Sequence, residues 1–287
     1  MSNDRQILEG RALAGGGSRR LEVDGEAFLN FAGCNYLALT DLPELREAAR
    51  RALEDGCLFG CYLPAAYVGE DAAYAPVERE AAAFYGAEAA AYMPSGYHIG
   101  FAAMTGMRPL YDAIHLDETA HWCLSDAAAL MGVPTTTFPS CDVDALERAL
   151  AAAPRGQRPL IATDGAFATT GKLPPLDRYA ELAERYDGQV LVDESHSAGG
   201  VGATGRGTAE HFGLGRRVWV GTTLSKSFCA HGAVFVGLRE AVERSRTARA
   251  MRGSAAGSPI SAAVGEAALR YVRDHPERCE TLRANVG

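Results

Sequence analysis

Short apolar runs alternate with amphipathic helical stretches along most of the 287-residue chain. This alternation is typical of an α/β fold, because strands buried on both faces read as continuous apolar segments, whereas the helices that cover them show helical periodicity. We predict helices over residues 45–53, 77–84, 144–152 and 176–186. The predicted strands are 89–93, 113–116, 135–138, 160–163, 189–192, 218–222 and 233–236.

Composition excludes several classes of function. A formal net charge of −8 argues against nucleic acid or an anionic membrane as the main partner. No apolar run approaches the roughly 18 residues that a transmembrane helix needs. The first ten residues contain no apolar signal-peptide core. We therefore expect a cytoplasmic protein without nucleic-acid or membrane partners.

The seven cysteines are odd in number and scattered, which fits a reducing compartment. Cys57 and Cys61 are the only close pair, and no second pair supplies a zinc-ligand spacing. We predict buried or incidental thiols and no metal site.

Lysine is rare in this chain. Of 28 basic residues only Lys172 and Lys226 are lysines, so arginine carries nearly all of the positive charge. A lysine amine can form an imine with an aldehyde, whereas arginine cannot form a stable one. A covalent amine therefore has only two candidates.

Polar residues follow several predicted strands, at the carboxyl ends where open α/β sheets bind ligands. Ser95, Gly96 and Tyr97 follow the run 89–93 and open a predicted helix that extends through Met104. Free backbone N–H groups at a helix start can bind an anion. A plain turn with a serine cap is the alternative for this segment.

Two other strand ends carry the strongest candidates. Asp193 ends a buried strand and needs a partner, either a protonated pyridine nitrogen of a ligand or an arginine. His196 follows it, and without further information a structural histidine is the simpler interpretation. Lys226 lies beside hydroxyl residues, including Thr223, a grouping that suits a phosphate held close to an aldehyde.

Two glycine-containing stretches resemble nucleotide-binding motifs and fail on inspection. Residues 200–205 match G-x-G-x-x-G, but they begin eight residues after the strand and no helical pattern follows at once. Residues 221–227 lack the glycine that must precede the lysine of a P-loop. A nucleotide-binding module is therefore a distant alternative.

Taken together, the motifs resemble the α-oxoamine synthase family of fold-type I pyridoxal-phosphate (PLP) enzymes, part of aminotransferase class I/II. The similarity runs from about residue 30 to about residue 268. It rests on the order and spacing of Asn35-Tyr36-Leu37, Ser95-Gly96-Tyr97, Thr163-Asp164-Gly165-Ala166-Phe167, Gly171, Pro175-Leu176, Val192-Asp193-Glu194-Ser195-His196, Gly202-Ala203-Thr204-Gly205-Arg206-Gly207 and Gly221-Thr222-Thr223-Leu224-Ser225-Lys226.

The resemblance implies a role for each matching residue. Lys226 would hold PLP as a Schiff base and deprotonate the substrate, while Asp193 pairs with the pyridine nitrogen and His196 with the phenolic oxygen. His121 would stack on the ring; without the resemblance it is only a histidine near a helix start. The implied catalytic residues are Lys226, His121 and Asp193, and the implied cofactor-binding residues are Ser95, Gly96, Tyr97, His121, Asp193, His196, Thr223 and Lys226.

The resemblance also implies a fold, a reaction and an assembly. The fold would be the large domain of a PLP-dependent transferase, a mostly parallel seven-stranded sheet between helices, in a homodimer. The reaction would condense an amino acid with an acyl-CoA or acyl-carrier thioester and release carbon dioxide. An aminotransferase, a PLP lyase on the same scaffold, and a truncated cofactor-binding subunit are the alternatives.

We predict an N-terminal arm over residues 1–45 and a PLP-binding large domain over 46–245. Residues 246–287 would form a linking helix and the start of a C-terminal domain that the sequence lacks, with nothing for the last residues to pack against.

The sequence departs from the family pattern at several positions. Asp164 and Ala168 stand where the family usually has Glu and Ser, and Thr169-Thr170 replace Met-Asp. The usual Ser-Arg is missing from residues 61–71, and Ala255 occupies the position of a phosphate-binding hydroxyl offered by the neighbouring subunit.

Overall fold

The computed structural model describes residues 13–15, 19–31, 33–56 and 72–286. The Cys57 and Cys61 pair and the whole stretch 61–71 lie outside the described residues. The first described strands form a small antiparallel sheet of three strands: β1 (Leu13–Ala14), β2 (Arg20–Val23) and β3 (Glu26–Leu29).

Seven strands form the central sheet, in the order β4-β10-β9-β8-β7-β5-β6. They are β4 (Ala89–Met93), β5 (Ala113–Asp117), β6 (Thr135–Phe138), β7 (Pro159–Asp164), β8 (Gln189–Asp193), β9 (Trp219–Thr223) and β10 (Ala233–Gly237). Strand β10 is antiparallel to both neighbours, and the remaining pairs are parallel. The predicted seven-stranded, mostly parallel sheet is confirmed, and each predicted strand end agrees to within one residue.

Helices cover both faces of the sheet. They are α1 (Pro43–Glu54), α2 (Ala75–Tyr85), α3 (Ile99–Met107), α4 (Trp122–Leu130), α5 (Val143–Ala152), α6 (Leu176–Arg185), α7 (Thr208–His211), α8 (Arg239–Ser245), α9 (Arg249–Arg252), α10 (Pro259–Asp274) and α11 (Glu277–Val286). Among these helices of the described ranges, none is both long enough and apolar enough to cross a bilayer.

The core has two layers because strand side chains alternate between the faces of the sheet. On β8, Val190 and Val192 pack against helices α2, α5, α6 and α10, whereas Leu191 packs on the opposite layer with α3, α4 and α8. These three side chains, Val190, Leu191 and Val192, are fully buried. Burial on both faces explains why this strand reads as a continuous apolar run.

The end of the chain packs against the rest of the molecule. Helix α10 buries Leu269 and Val272 in the same core layer as α2. Cys279 of α11 is fully buried and Arg283 donates a hydrogen bond to the Gly202 carbonyl oxygen (2.7 Å), whereas Val286 at the end of the described residues is 80% exposed. The division into three segments stays a prediction.

Candidate active site

A cavity of about 230 Å³ opens at the carboxyl ends of β4, β7, β8 and β9. All eight residues predicted to bind the cofactor line it, together with Asp164, Ser195 and Ser225. Parallel strands bring their carboxyl ends to one edge of the sheet, and this edge is where polar residues distant in sequence meet. The structure therefore gathers the predicted residues in one place.

Lys226 reaches into the cavity from the loop after β9. Its Nζ lies 2.7 Å from Nε2 of His196, and burial lowers the pKa of this lysine. Lys172, the other lysine of the chain, is exposed and is not part of the cavity lining. The site thus contains one amine, and its lowered pKa favours the neutral, nucleophilic form.

His196 connects Lys226 to the N-terminal part of the chain. Its Nδ1 lies 2.8 Å from the hydroxyl of Tyr36, while its Nε2 faces Lys226. Burial, and then the neighbouring Lys226, lowers the pKa of His196 to about 4. A neutral imidazole carries one N–H, so one ring nitrogen donates and the other accepts. The hydroxyl of Tyr36, the imidazole of His196 and the amine of Lys226 therefore form a single hydrogen-bonded chain.

Asp193 is buried, with 4% of its surface exposed. One carboxylate oxygen accepts the backbone N–H of Ser195 (3.0 Å), and the other lies 3.5 Å from the thiol of Cys123. Within the described ranges, no arginine or lysine forms an ion pair with it, so the arginine alternative is not what the structure shows. The carboxylate keeps acceptor capacity for a cationic group in the cavity.

Asp164 lies directly opposite Asp193 in the parallel register of β7 and β8. Its two carboxyl oxygens lie 3.0 and 3.2 Å from the backbone nitrogen of His121, whose N–H they share. Burial, and then the charge of Asp193, raises the pKa of Asp164 to about 8. Near neutral pH this carboxyl is therefore largely protonated.

His121 stands at the start of α4, where its Nδ1 accepts the backbone N–H of Cys123 (3.2 Å). The histidine is thus the N-cap of this helix, at the helix start where the sequence placed it. The capping bond fixes the ring orientation, and the exposed side of the ring lines the cavity opposite Tyr97, with ring centroids 6.2 Å apart.

A cluster of small polar groups closes another part of the cavity. Ser95 caps the short 3-10 turn Gly96–His98, its hydroxyl accepting the Tyr97 N–H at 3.2 Å, so the predicted serine cap is present. A Cβ added at Gly96 would lie 3.0 Å from Cβ of Thr223, so a larger residue here would push the Thr223 side chain aside by a few tenths of an ångström. The hydroxyls of Thr223 and Ser225 are 2.8 Å apart.

These groups fit PLP by the chemistry of their donors and acceptors. The amine of Lys226 suits an aldehyde, and the unpaired acid of Asp193 suits a protonated ring nitrogen. The adjacent hydroxyls and the helix-start N–H groups suit a phosphate. Each functional group of the cofactor has a complementary partner in the same cavity.

Three cavity residues, Asp164, Ser195 and Ser225, were missing from the predicted site, and so was Tyr36, which contacts His196 from outside the lining. Asp164 and Ser225 follow or end strands, so the strand-end rule that identified Asp193 could have found them. Tyr36 gave no such signal, because its contact with His196 joins positions 160 residues apart.

Comparisons with known proteins identify the family of this chain. A family model described as aminotransferase class I and II matches residues 29–286. The 8-amino-7-oxononanoate synthase of Methylococcus capsulatus is 35% identical over 273 residues, which cover 93% of this chain and 69% of that protein.

Among solved structures, an SPT structure with PLP aligns with a TM-score of 0.88 at 25% identity and covers 96% of this chain and 70% of that one. The Sphingomonas wittichii serine palmitoyltransferase aligns with a TM-score of 0.85 at 23% identity and covers 93% and 69%. The second likeness is one of fold.

Proposed function

Because this chain belongs to the aminotransferase class I and II family, we propose that it is a PLP-dependent transferase that condenses an amino acid with an acyl thioester and releases carbon dioxide. The predicted relationship to the α-oxoamine synthases is confirmed by the synthase relative at 35% identity. The observation that carries the proposal is the meeting of one lysine amine and one unpaired, buried carboxylate in a single cavity.

Lys226 and Asp193 have complementary roles in this proposal. When bound, PLP supplies an electron-withdrawing ring that stabilises negative charge at the substrate α-carbon. The amine of Lys226 binds the cofactor and then accepts and returns the α-carbon proton, which its lowered pKa favours. The carboxylate of Asp193 keeps the ring nitrogen protonated.

The remaining residues orient the cofactor. Thr223, with Ser225 and the backbone of residues 95–97, binds the phosphate. His121, fixed by its capping bond, would hold the ring of the cofactor, and His196, whose Nε2 faces Lys226, would donate a hydrogen bond to the phenolic oxygen. Because Tyr36 holds the other nitrogen of His196, the imidazole keeps one orientation while Lys226 changes its bonding partner.

We also propose that the chain acts as a cytoplasmic homodimer. Helix α4 begins directly after His121, and its side chains Trp122 and Leu130 are 76% and 72% exposed. A second copy of the chain would cover them. Large apolar side chains exposed together are typical of protein interfaces. Since Ala255 has no hydroxyl, we expect the partner to add no side-chain hydrogen bond to the phosphate from this position.

The two lysines provide a matched test. PLP is added to the purified chain, borohydride reduces any imine, and mass spectrometry locates the modified residue in wild type, Lys226→Ala and Lys172→Ala. We expect modification at position 226 in the wild type and in Lys172→Ala, and none in Lys226→Ala. Modification at position 172 instead, or retained in Lys226→Ala, would overturn the assignment.

The products distinguish the proposed reaction from its alternatives. Released carbon dioxide and free thiol in equal amounts support the condensation, whereas a keto acid without thiol indicates an aminotransferase. A chain that binds PLP at Lys226 yet turns over no amino acid with any thioester would identify a cofactor-binding subunit.

A further inference from the structure

A second cavity lies at the opposite edge of the sheet. It has a volume of about 430 Å³ and opens at the amino ends of β8 and β9, away from Lys226. Part of its wall is apolar and consists of Val218, Val220, Val236 and Leu238. An apolar cavity of this size with a few polar groups is the usual form of a small-molecule site.

Arg206 supplies positive charge to this cavity. Its Nε is buried and has no hydrogen-bond acceptor among the described residues, and its guanidinium carbon lies 5.9 Å from the ring centroid of Phe84. A buried donor without an acceptor is uncommon in folded proteins, because it loses its bond to water without compensation.

The carboxylates that line the cavity are already engaged elsewhere. Glu210 accepts the backbone N–H of Thr204 (3.0 Å), the hydroxyl of Thr204 (2.7 Å) and the backbone N–H of Arg206 (3.0 Å). Glu88 pairs with Arg216 at the exposed rim (3.3 Å). Within the part of the chain that the structure describes, no carboxylate pairs with the guanidinium of Arg206.

Tyr85 adds a second donor to the same cavity. Its hydroxyl is buried and makes no hydrogen bond of normal geometry to the described residues, since the nearby hydroxyl of Thr222 donates to the Thr223 carbonyl oxygen (3.4 Å). Burial raises the pKa of Tyr85, so the phenol keeps its proton and can donate it. A ligand with a hydrogen-bond acceptor could therefore bind both donors of this cavity, the Nε–H of Arg206 and the hydroxyl of Tyr85.

We propose that this cavity binds a small monocarboxylate with an apolar body. The carboxylate accepts from Arg206 and Tyr85, and the apolar body packs against the valine side chains. A carboxylate matches two N–H or O–H donors and a positive charge, while the aliphatic wall favours a hydrocarbon over a second polar group. This site is independent of the PLP chemistry proposed for the other edge.

The two tryptophans of the chain allow a direct test. Trp219 lines the cavity and Trp122 does not, so Trp122→Phe leaves Trp219 as the only tryptophan and its fluorescence reports on this region. The probes are octanoate, octan-1-ol, which lacks the charge, and acetate, which lacks the apolar body. We expect saturable fluorescence change with octanoate and at least tenfold weaker binding of the other two.

Arg206→Gln in the same background should weaken octanoate binding at least tenfold, and Tyr85→Phe several-fold. Arg216→Gln is the matched control, because this arginine lies at the rim and pairs with Glu88; its effect should stay within twofold. If Arg206→Gln fails to fold, Tyr85→Phe and the ratio of octanoate to octan-1-ol decide the question. Equal binding of the acid and the alcohol, unchanged binding in Tyr85→Phe or folded Arg206→Gln, or no saturable change would identify a water-filled cavity and overturn the proposal.

Discussion

The two edges of the central sheet handle carboxylates in different ways. At the amino edge, acids pair with arginines near the surface: Asp112 with Arg158, Glu184 with Arg217 and Glu88 with Arg216. At the carboxyl edge, buried acids accept backbone N–H groups instead: Asp117 from Thr119 and Cys141, Asp164 from His121, and Asp193 from Ser195.

The exposed ion pairs at the amino edge contribute to solubility, whereas the buried carboxyl groups at the carboxyl edge are placed to act on a ligand. Exposed ion pairs add little stability and can be replaced. A backbone N–H fixes the position of a carboxylate without supplying an opposite charge, so Asp193 is buried without an ionic partner among the described residues. Such an arrangement lowers stability and is expected where a cationic ligand group supplies the missing charge.

Among the variants at the carboxyl edge, Asp193→Asn should have the largest effect on activity. Loss of the charge that keeps the ring nitrogen protonated should lower kcat/KM by about a thousandfold, or about 4 kcal/mol. The midpoint of thermal unfolding should stay the same or rise, because a buried charge without an ionic partner is removed.

Asp112→Asn is the matched variant at the amino edge, where Arg158 lies 2.9 Å away. We expect kcat/KM within threefold of wild type. Steady-state kinetics and thermal unfolding of both variants test the comparison, and nearly full activity of Asp193→Asn would contradict it.

The contrast also explains which features were predictable from the sequence. The central strands were recognisable because burial on both faces leaves continuous apolar runs, and Asp193 was recognisable because it ends one of them. The contact of Cys123 with Asp193 spans 70 residues and depends on how α4 packs on the sheet. The unpaired state of Arg206 was equally hidden, since pairing is decided by three-dimensional neighbours.

The difference in stability between Asp164→Asn and the wild type should depend on pH. The raised pKa of Asp164, about 8, means that the folded state binds this proton more tightly than the unfolded chain. Its contribution to stability is therefore complete below about pH 4 and is lost as pH rises towards 8. Between pH 5 and pH 8, the wild type should lose about 4 kcal/mol of unfolding free energy relative to the variant.

Denaturant unfolding of both proteins across this range measures the effect. His196, whose pKa is lowered to about 4 chiefly by burial, titrates in the opposite sense, losing stability as pH falls from about 6.5 towards 4. Since His196 is present in both proteins, its contribution cancels in the difference. A difference that does not change with pH would show that Asp164 is already ionised at pH 5.

Arg217→Ala should have the smallest effect. Its Nε lies 2.5 Å from Glu184, but the two side chains are 42% and 59% exposed, so water solvates either charge once its partner is gone. The Arg217 guanidinium lowers the pKa of the Glu184 carboxyl, and water screens this interaction. We expect the midpoint of thermal unfolding to shift by about 2 °C or less, with kcat/KM unchanged. A double-mutant cycle with Glu184→Ala measures the coupling, and a shift larger than that of Asp164→Asn at pH 8 would show that the amino edge, too, depends on its charges.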